Sequence, residues 1–258
     1  MHKFFILVVM VVSIISLLSF ASAEDVERRQ IIAVKVKTPP KIDGILNDAV
    51  WEKAQPSEDF IQTSPNRGKP MSQQTSIRIL YDDNNIYLGF QCYDTKPDKI
   101  FGSEMRRDYD IWEADDHVGF VLDTYHDLRN AYYFATNPMG IRVDSRITDN
   151  GSWHKSWDAV WDCSAKRNSQ GWSAEFSIPF GQLRFPQKDR HIWGFNCVRS
   201  IQRDSEYGCW SSIETSNLII ISNAGELVGL ENLPKKYRLE IRPTESWVWK
   251  RITMTKLT

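Results

Sequence analysis

Apolar and polar residues alternate along most of this chain, in short runs closed by turn residues. Positions 75–81 place Ile77, Ile79 and Tyr81 on one side, and Asp82-Asp83-Asn84-Asn85 follows as a turn. Positions 86–93 return, so the pattern predicts a hairpin over 75–93. Positions 117–123 predict a further strand. Positions 131–136 and 141–147 flank Asn137-Pro138-Met139-Gly140, a strong turn signal. Positions 157–166 and 172–178 flank Asn168-Ser169-Gln170-Gly171. In the second of these Trp172, Ala174, Phe176 and Ile178 share one face, while Ser173, Glu175 and Ser177 share the other. Strands over 193–200, 207–213, 218–222 and 226–230 complete the series. Asn47 is placed to cap a short helix over 48–54, and Pro179 precedes one further helical turn at 180–183. Many short strands at regular spacing, with one or two short helices, predict an all-β antiparallel sandwich of jelly-roll type.

The ends differ from this pattern. Met1-His2-Lys3, an apolar run of 17 residues and Ala21-Ser22-Ala23 form a secretory signal peptide over 1–23. The alternative, an uncleaved anchor, requires the run to span a bilayer at the lower limit of length. Residues 24–37 read as a lead-in, 38–232 as the sandwich, and 233–258 as a tail of strand-like segments with nothing after them to pair with. Export places the protein in the periplasm, in the outer membrane or outside the cell.

The formal net charge is −1, and loss of Lys3 with the signal takes it to −2. That balance argues against a nucleic-acid partner, which calls for a basic surface. The four cysteines show no zinc spacing. Cys197 and Cys209 are symmetric about Arg203, so a hairpin centred there would oppose them within disulfide range. Two small buried thiols are the alternative. Ten tryptophans are present. An indole held at a loop of an exported protein is a flat apolar plate, suited to the apolar face of a sugar ring.

Four segments in order carry a family resemblance. They are Lys41-Ile-Asp-Gly…Ala-Val-Trp51, Ile79-Leu-Tyr-Asp-Asp-Asn-Asn-Ile-Tyr-Leu88, Asp115-Asp-His-Val-Gly-Phe-Val-Leu-Asp123 with Phe134-Ala-Thr-Asn-Pro-Met-Gly140, and Gly171-Trp-Ser-Ala-Glu-Phe-Ser-Ile-Pro-Phe180 with Trp193-Gly-Phe-Asn196 and Arg199. Together they resemble the carbohydrate-binding module family 9 domain, over about residues 38–232. The resemblance implies a sandwich of the kind shared with DOMON-like domains, binding sugars between two tryptophans with polar help and structural calcium. Trp112 matches one of those tryptophans, and Trp210 is the choice for the second, with Trp153 or Trp157 behind it. Asp115, Asp116, Asn137, Arg142 and His154 are the candidate polar contacts. Asp43, Asp82, Asp83, Asp115, Asp116 and Asp144 offer hard oxygen ligands for calcium. Trp51 reads as core, and Glu175 as a structural partner, with Arg199 as its candidate mate.

Two departures bear on sugar binding. Gly119 stands where the family often has a glutamate, and Ala135 where it has an arginine. The subgroup implied is the one found ahead of an outer-membrane β-barrel, of which the tail would be the start. Three roles follow: a sugar-binding module serving polysaccharide catabolism, a non-catalytic plug or gate of the barrel, and a glycoside hydrolase component. The last needs a carboxylate pair, for which Asp115, Asp116, Asp123 and Glu175 are the candidates.

Overall fold

The computed structural model describes residues 28–211 and 219–234. The signal segment 1–23 and tail residues 235–258 lie outside the described residues. Thirteen strands run through the described part: β1 (Gln30–Lys35), β2 (Ile61–Ser64), β3 (Thr75–Tyr81), β4 (Asn85–Tyr93), β5 (His117–Asp123), β6 (Ala131–Thr136), β7 (Val143–Thr148), β8 (Ser152–His154), β9 (Asp162–Asn168), β10 (Gly171–Pro179), β11 (Arg190–Ile201), β12 (Glu206–Cys209) and β13 (Gly225–Glu231). They form one curled sheet in the order β8-β7-β6-β5-β11-β13-β1-β3-β4-β10-β9, with β12 and β2 added beside β11.

The curl turns on β1. Its first half, from Gln30, pairs parallel with β13, and its second half, from Ala33, pairs parallel with β3. The two halves of the sheet thus face each other across one interior. Phe120 of β5 packs edge-on against Phe176 of β10 at 5.1 Å and stacks with Phe90 of β4 at 6.3 Å. Trp172, Trp193 and Trp210 belong to the same core. The segment 24–37 is therefore more than a lead-in, because its strand joins the two halves. Those two parallel pairings are the exceptions to an otherwise antiparallel sandwich.

Both outer faces are covered as well. Over β3 and β4, the 3-10 helix Ala49–Lys53 lays Trp51 on Leu80 and Tyr87. Over β5, β6 and β11, a second apolar layer contains Val121, Tyr133 and Val198, roofed by Ile111, Trp112, Trp153 and Ile221. Two covered faces explain why every residue of β5 is buried although its sequence barely alternates. The short helices expected over 48–54 and 180–183 occur as 3-10 turns at Ala49–Lys53 and Phe180–Gln182. The strand expected near 218–222 is instead a 3-10 turn at Ile221–Asn223 in its described part.

The cysteine pairing is corrected. In the β11–β12 hairpin Val198, not Cys197, lies opposite Cys209. A slip of one residue turns a side chain to the other face of the sheet. Cys197 points into the interior core, while Cys209 points into the outer layer. All four cysteines are thiols. Alkylation of the denatured, unreduced protein is expected to label four thiols, and a mass showing two would restore the bridge.

Candidate functional site

The chain between Ile100 and His117 crosses the outer face of β5 and β6 as a loop, and its ends are tied by carboxylates. Asp115 is fully buried and accepts hydrogen bonds from Ser103 N at 3.0 Å, Ser103 Oγ at 3.1 Å and Glu104 N at 3.0 Å. Asn137 Nδ2 donates to the same carboxylate at 2.6 Å, while Asn137 Oδ1 accepts from Met139 N and Ile141 N. This knot locks the loop onto the β6–β7 turn. Asp116 Oδ1 accepts from Gln202 N at 2.7 Å. Midway along, the Trp112 carbonyl accepts from Gln202 Nε2 at 2.8 Å and Tyr207 Oη at 3.0 Å.

The loop closes one side of a recess of about 350 Å³ including its open mouth. Its aromatic lining is Tyr109, Trp112, Tyr133 and Trp153. Trp112 stacks on Tyr133 at 5.8 Å and 20°, and meets Trp153 edge-on at 6.2 Å and 84°. The two indoles therefore form a corner. The polar lining is Asp108, Asp110, Asp144, Ser145 and Lys155. Lys155 Nζ lies 2.9 Å from Asp110 Oδ2. The ammonium holds the Asp110 carboxyl below the usual carboxylate range against the pull of burial, so it stays ionised at neutral pH. An apolar corner edged by fixed charges and a hydroxyl suits a ligand with one flat apolar face and several hydroxyls.

Of the residues expected from sequence, Trp112 lines the recess, as do Trp153, the reserve for the second indole, and Asp144, expected as a calcium ligand. Trp210 is 1% exposed, packs on Phe195 at 5.5 Å and donates its indole N–H to Ser57 Oγ at 2.7 Å. It is core, and the Arg29 guanidinium closes over it at 4.6 Å. Its place as the second indole is taken by Trp153. Asp115, Asp116 and Asn137 hold the loop from within and are buried. Arg142 Nη1 donates to the Trp161 carbonyl at 2.8 Å. His154 is exposed beside Thr148 Oγ1 at 2.8 Å. Alternation along the strand sends Trp153 and Lys155 into the recess and His154 away from it. Tyr109, Asp108, Asp110, Ser145 and Lys155 were missed. The one signal in the sequence was the proximity of Tyr109-Asp110 and Lys155 to the tryptophans already singled out.

The two departures from the family pattern sit together. Gly119 and Ala135 are direct partners across β5 and β6. A Cβ on Gly119 would lie 2.6 Å from the Tyr133 hydroxyl and 3.0 Å from the Ala135 Cβ. The small pair gives Tyr133 room to lie flat beneath Trp112. Glu175, in turn, does not reach Arg199. Its Oε2 accepts from Asp43 N and Gly44 N, and its Oε1 from Trp51 Nε1. Arg199 bonds the Gln74 and Tyr93 carbonyls and Thr75 Oγ1. None of Asp115, Asp116, Asp123 and Glu175 lines the recess.

The oxygen ligands expected for calcium do not converge either. Asp43 pairs with Lys41, Asp83 with Lys35, and Asp82 accepts from Asn84 N and Asn85 N. Among the described residues the one group that could hold a metal is Asp108, Asp144 and Asp158. Arg107 Nη2 already bonds the Oδ1 atoms of Asp144 and Asp158. Asp144 is spoken for further by Trp161 Nε1 and Ala159 N. With a guanidinium supplying the positive charge, the cluster as arranged does not fit a calcium ion.

His117 lies beneath the roof. It is fully buried and meets Trp112 edge-on at 4.9 Å. Burial pushes its pKa down to about 4 against the raising effect of the Asp115 carbonyl. An unfolded histidine titrates near 6.5. Between those values the unfolded chain takes up a proton that the fold refuses, so this group's effect is a loss of stability as pH falls from about 6.5 to 4. The buried carboxyls with raised pKa, such as Asp116 and Asp144, act in the opposite direction. A comparison of urea midpoints for His117→Gln and the unaltered protein isolates the histidine. The variant is expected to show the shallower decline on acidification, and parallel profiles would refute the assignment.

The family model described as carbohydrate family 9 binding domain-like matches residues 42–210. Among solved structures, a carbohydrate binding module family 9 from Caldicellulosiruptor kristjanssonii in complex with cellotriose superposes with a TM-score of 0.54 at 18% identity, covering 83% of this chain and 100% of that one. The same organism's module in complex with glucose gives 0.56 at 19% identity, with the same coverage. A protein from Bacteroides uniformis, assigned as carbohydrate-binding, gives 0.61 at 15% identity, covering 78% and 99%. At these identities the likeness establishes the fold. No curated protein matches the chain.

Proposed function

The chain belongs to the carbohydrate family 9 binding domain-like family, and from that premise we propose that it binds a sugar in the recess between Trp112 and Trp153. The observation that carries this reading is the corner of two partly exposed indoles, edged by Asp108, Asp110, Ser145 and Lys155. A pyranose laid against one indole presents its rim of hydroxyls to those side chains. Charged acceptors and donors at the rim make stronger hydrogen bonds than neutral ones. Family relatives of the same fold take cellotriose and glucose, which makes these two sugars the first probes.

The reading extends to cellular role. The basic start, apolar run and Ala21-Ser22-Ala23 support export to the periplasm, the outer membrane or beyond. Capture of polysaccharide fragments for catabolism is the use such a module would serve there. Titration calorimetry with cellotriose and glucose tests the core of the proposal. Saturable heat that is lost when the recess is altered is the expected result, and heat that is indifferent to the recess would refute it.

A further inference from the structure

Two polar atoms beneath the Trp112 indole make no hydrogen bond among the described residues: the Tyr133 hydroxyl and His117 Nε2. Both residues are buried, at 1% and 0% exposed. Buried polar groups are normally satisfied, and each exception needs a physical reason. These two belong to one place. His117 and Gly119 are alternate residues of β5 and face the same side, and the Tyr133 hydroxyl lies over Gly119. Both rings contact Trp112.

Their chemistry is complementary. His117 Nδ1 lies 3.1 Å from the Asp115 carbonyl oxygen. A carbonyl only accepts, so Nδ1 carries the proton and Nε2 of the neutral ring is an acceptor. The Tyr133 hydroxyl has a proton to give. A sugar hydroxyl is donor and acceptor at once, so a single one can satisfy both atoms.

The cover over them is held unevenly. The Trp112 main chain is pinned through its carbonyl by Gln202 and Tyr207. Its indole N–H makes no hydrogen bond among the described residues, and the ring is only partly buried. Ring contacts alone hold it down. Rotation about the side-chain torsions moves the ring without releasing the loop.

We propose that the Trp112 indole is a hinged cover, and that Tyr133 Oη and His117 Nε2 beneath it form an inner subsite for one hydroxyl of a bound sugar. This rests on the sugar-binding reading above and adds to it a specificity element that the rim residues do not supply. In this chain the small pair Gly119 and Ala135 makes room for a tyrosine hydroxyl at the floor of the site.

The test is cellotriose titration of Tyr133→Phe, run beside its thermal melt. Removing a hydroxyl that has no partner should leave the melting temperature unchanged or raise it, while affinity falls roughly three- to tenfold, the size of one hydrogen bond. In protein carrying 5-fluorotryptophan, the Trp112 fluorine resonance, assigned by Trp112→Phe, should shift on addition of cellotriose. Unchanged affinity in Tyr133→Phe, in a protein whose binding Trp153→Ala weakens, overturns the inner subsite and leaves the recess standing. Affinity that falls only together with the melting temperature, or a Trp112 resonance that stays put during binding, overturns it as well. No binding of cellotriose or glucose by the unaltered protein overturns both readings.

Discussion

Glu175→Ala is expected to remove about 3–5 kcal/mol of folding stability. The carboxylate is fully buried and joins three parts of the chain. It accepts from Trp51 Nε1 at 2.9 Å, Asp43 N at 2.9 Å and Gly44 N at 2.8 Å. Truncation strands three donors, and a buried donor left without a partner costs about 1–3 kcal/mol. Some of that cost is relieved because water can reach the Asp43 side of the turn, which is partly exposed. Glu175→Gln separates hydrogen bonding from charge. With its oxygen toward Asp43 and Gly44, the amide keeps two bonds and sets its own N–H against the indole N–H, so a loss of about half is expected. The pH dependence has a definite sign. Burial raises the Glu175 pKa above its ordinary value, against the lowering effect of its three donors. Protonation therefore favours the fold, and this group's contribution is greatest below about pH 4.5 and declines as pH rises through its folded value. Urea midpoints of the three proteins at neutral and mildly acidic pH check all of this. An alanine variant within 1 kcal/mol of the unaltered protein would show that the node is dispensable.

That node also shows what the sequence could and could not convey. Lys41-Ile-Asp-Gly, Trp51 and Glu175 were each readable as a turn, a core residue and a polar-face residue. Their union was not readable, because 131 residues separate Gly44 from Glu175 and hydrophobic periodicity carries no information about partners at that range. Arg199 looked the natural mate on charge alone, and it is spent on carbonyls of β4 and the chain before β3. Strands bounded by clear turn signals were located closely, as β3, β6 and β10 show. β1 escaped because it lies where a lead-in was expected, and β8 because three residues give no period to detect.

The site was half legible for a related reason. A tryptophan signals either core or platform, and its sequence neighbours do not say which. Trp112 sits in a loop dense with acids and lines the recess, whereas Trp210 follows a strand and faces inward beside Cys197, whose carbonyl accepts its backbone N–H at 2.9 Å. The register that buries Trp210 is the one that separates Cys197 from Cys209, so both errors share one cause: a hairpin centre placed half a residue too early. Polar candidates were drawn from conspicuous acids, yet Asp115 and Asn137 are conspicuous because they fasten the loop. Of the acids that reach the recess, Asp108 and Asp110 lie at the loop's exposed tip, and Asp144 is buried on β7.

Trp153→Ala is expected to weaken cellotriose binding roughly tenfold to a hundredfold while leaving the fold intact. Truncating an aromatic platform beneath a flat ligand costs about 1–3 kcal/mol, and each 1.4 kcal/mol is a factor of ten in affinity. Trp153 is the better probe than Trp112 because the two indoles carry different structural burdens. Trp112 roofs His117 and Tyr133 and its main chain anchors the loop, so its removal opens buried surface as well as the recess. Trp153 stands on a three-residue edge strand, partly exposed, with one face turned to the recess and its edge on Tyr133 at 4.9 Å. Its loss costs the outer layer one wall of a shallow cluster and costs the interior core nothing. Lys155→Ala provides the contrast. The Lys155–Asp110 pair is more than half exposed at both ends, and such pairs contribute at most about 1 kcal/mol to stability, so its effect on the fold should be undetectable and its effect on affinity a fewfold loss. Binding that survives Trp153→Ala at full strength, in a protein that melts normally, would move sugar recognition away from this corner.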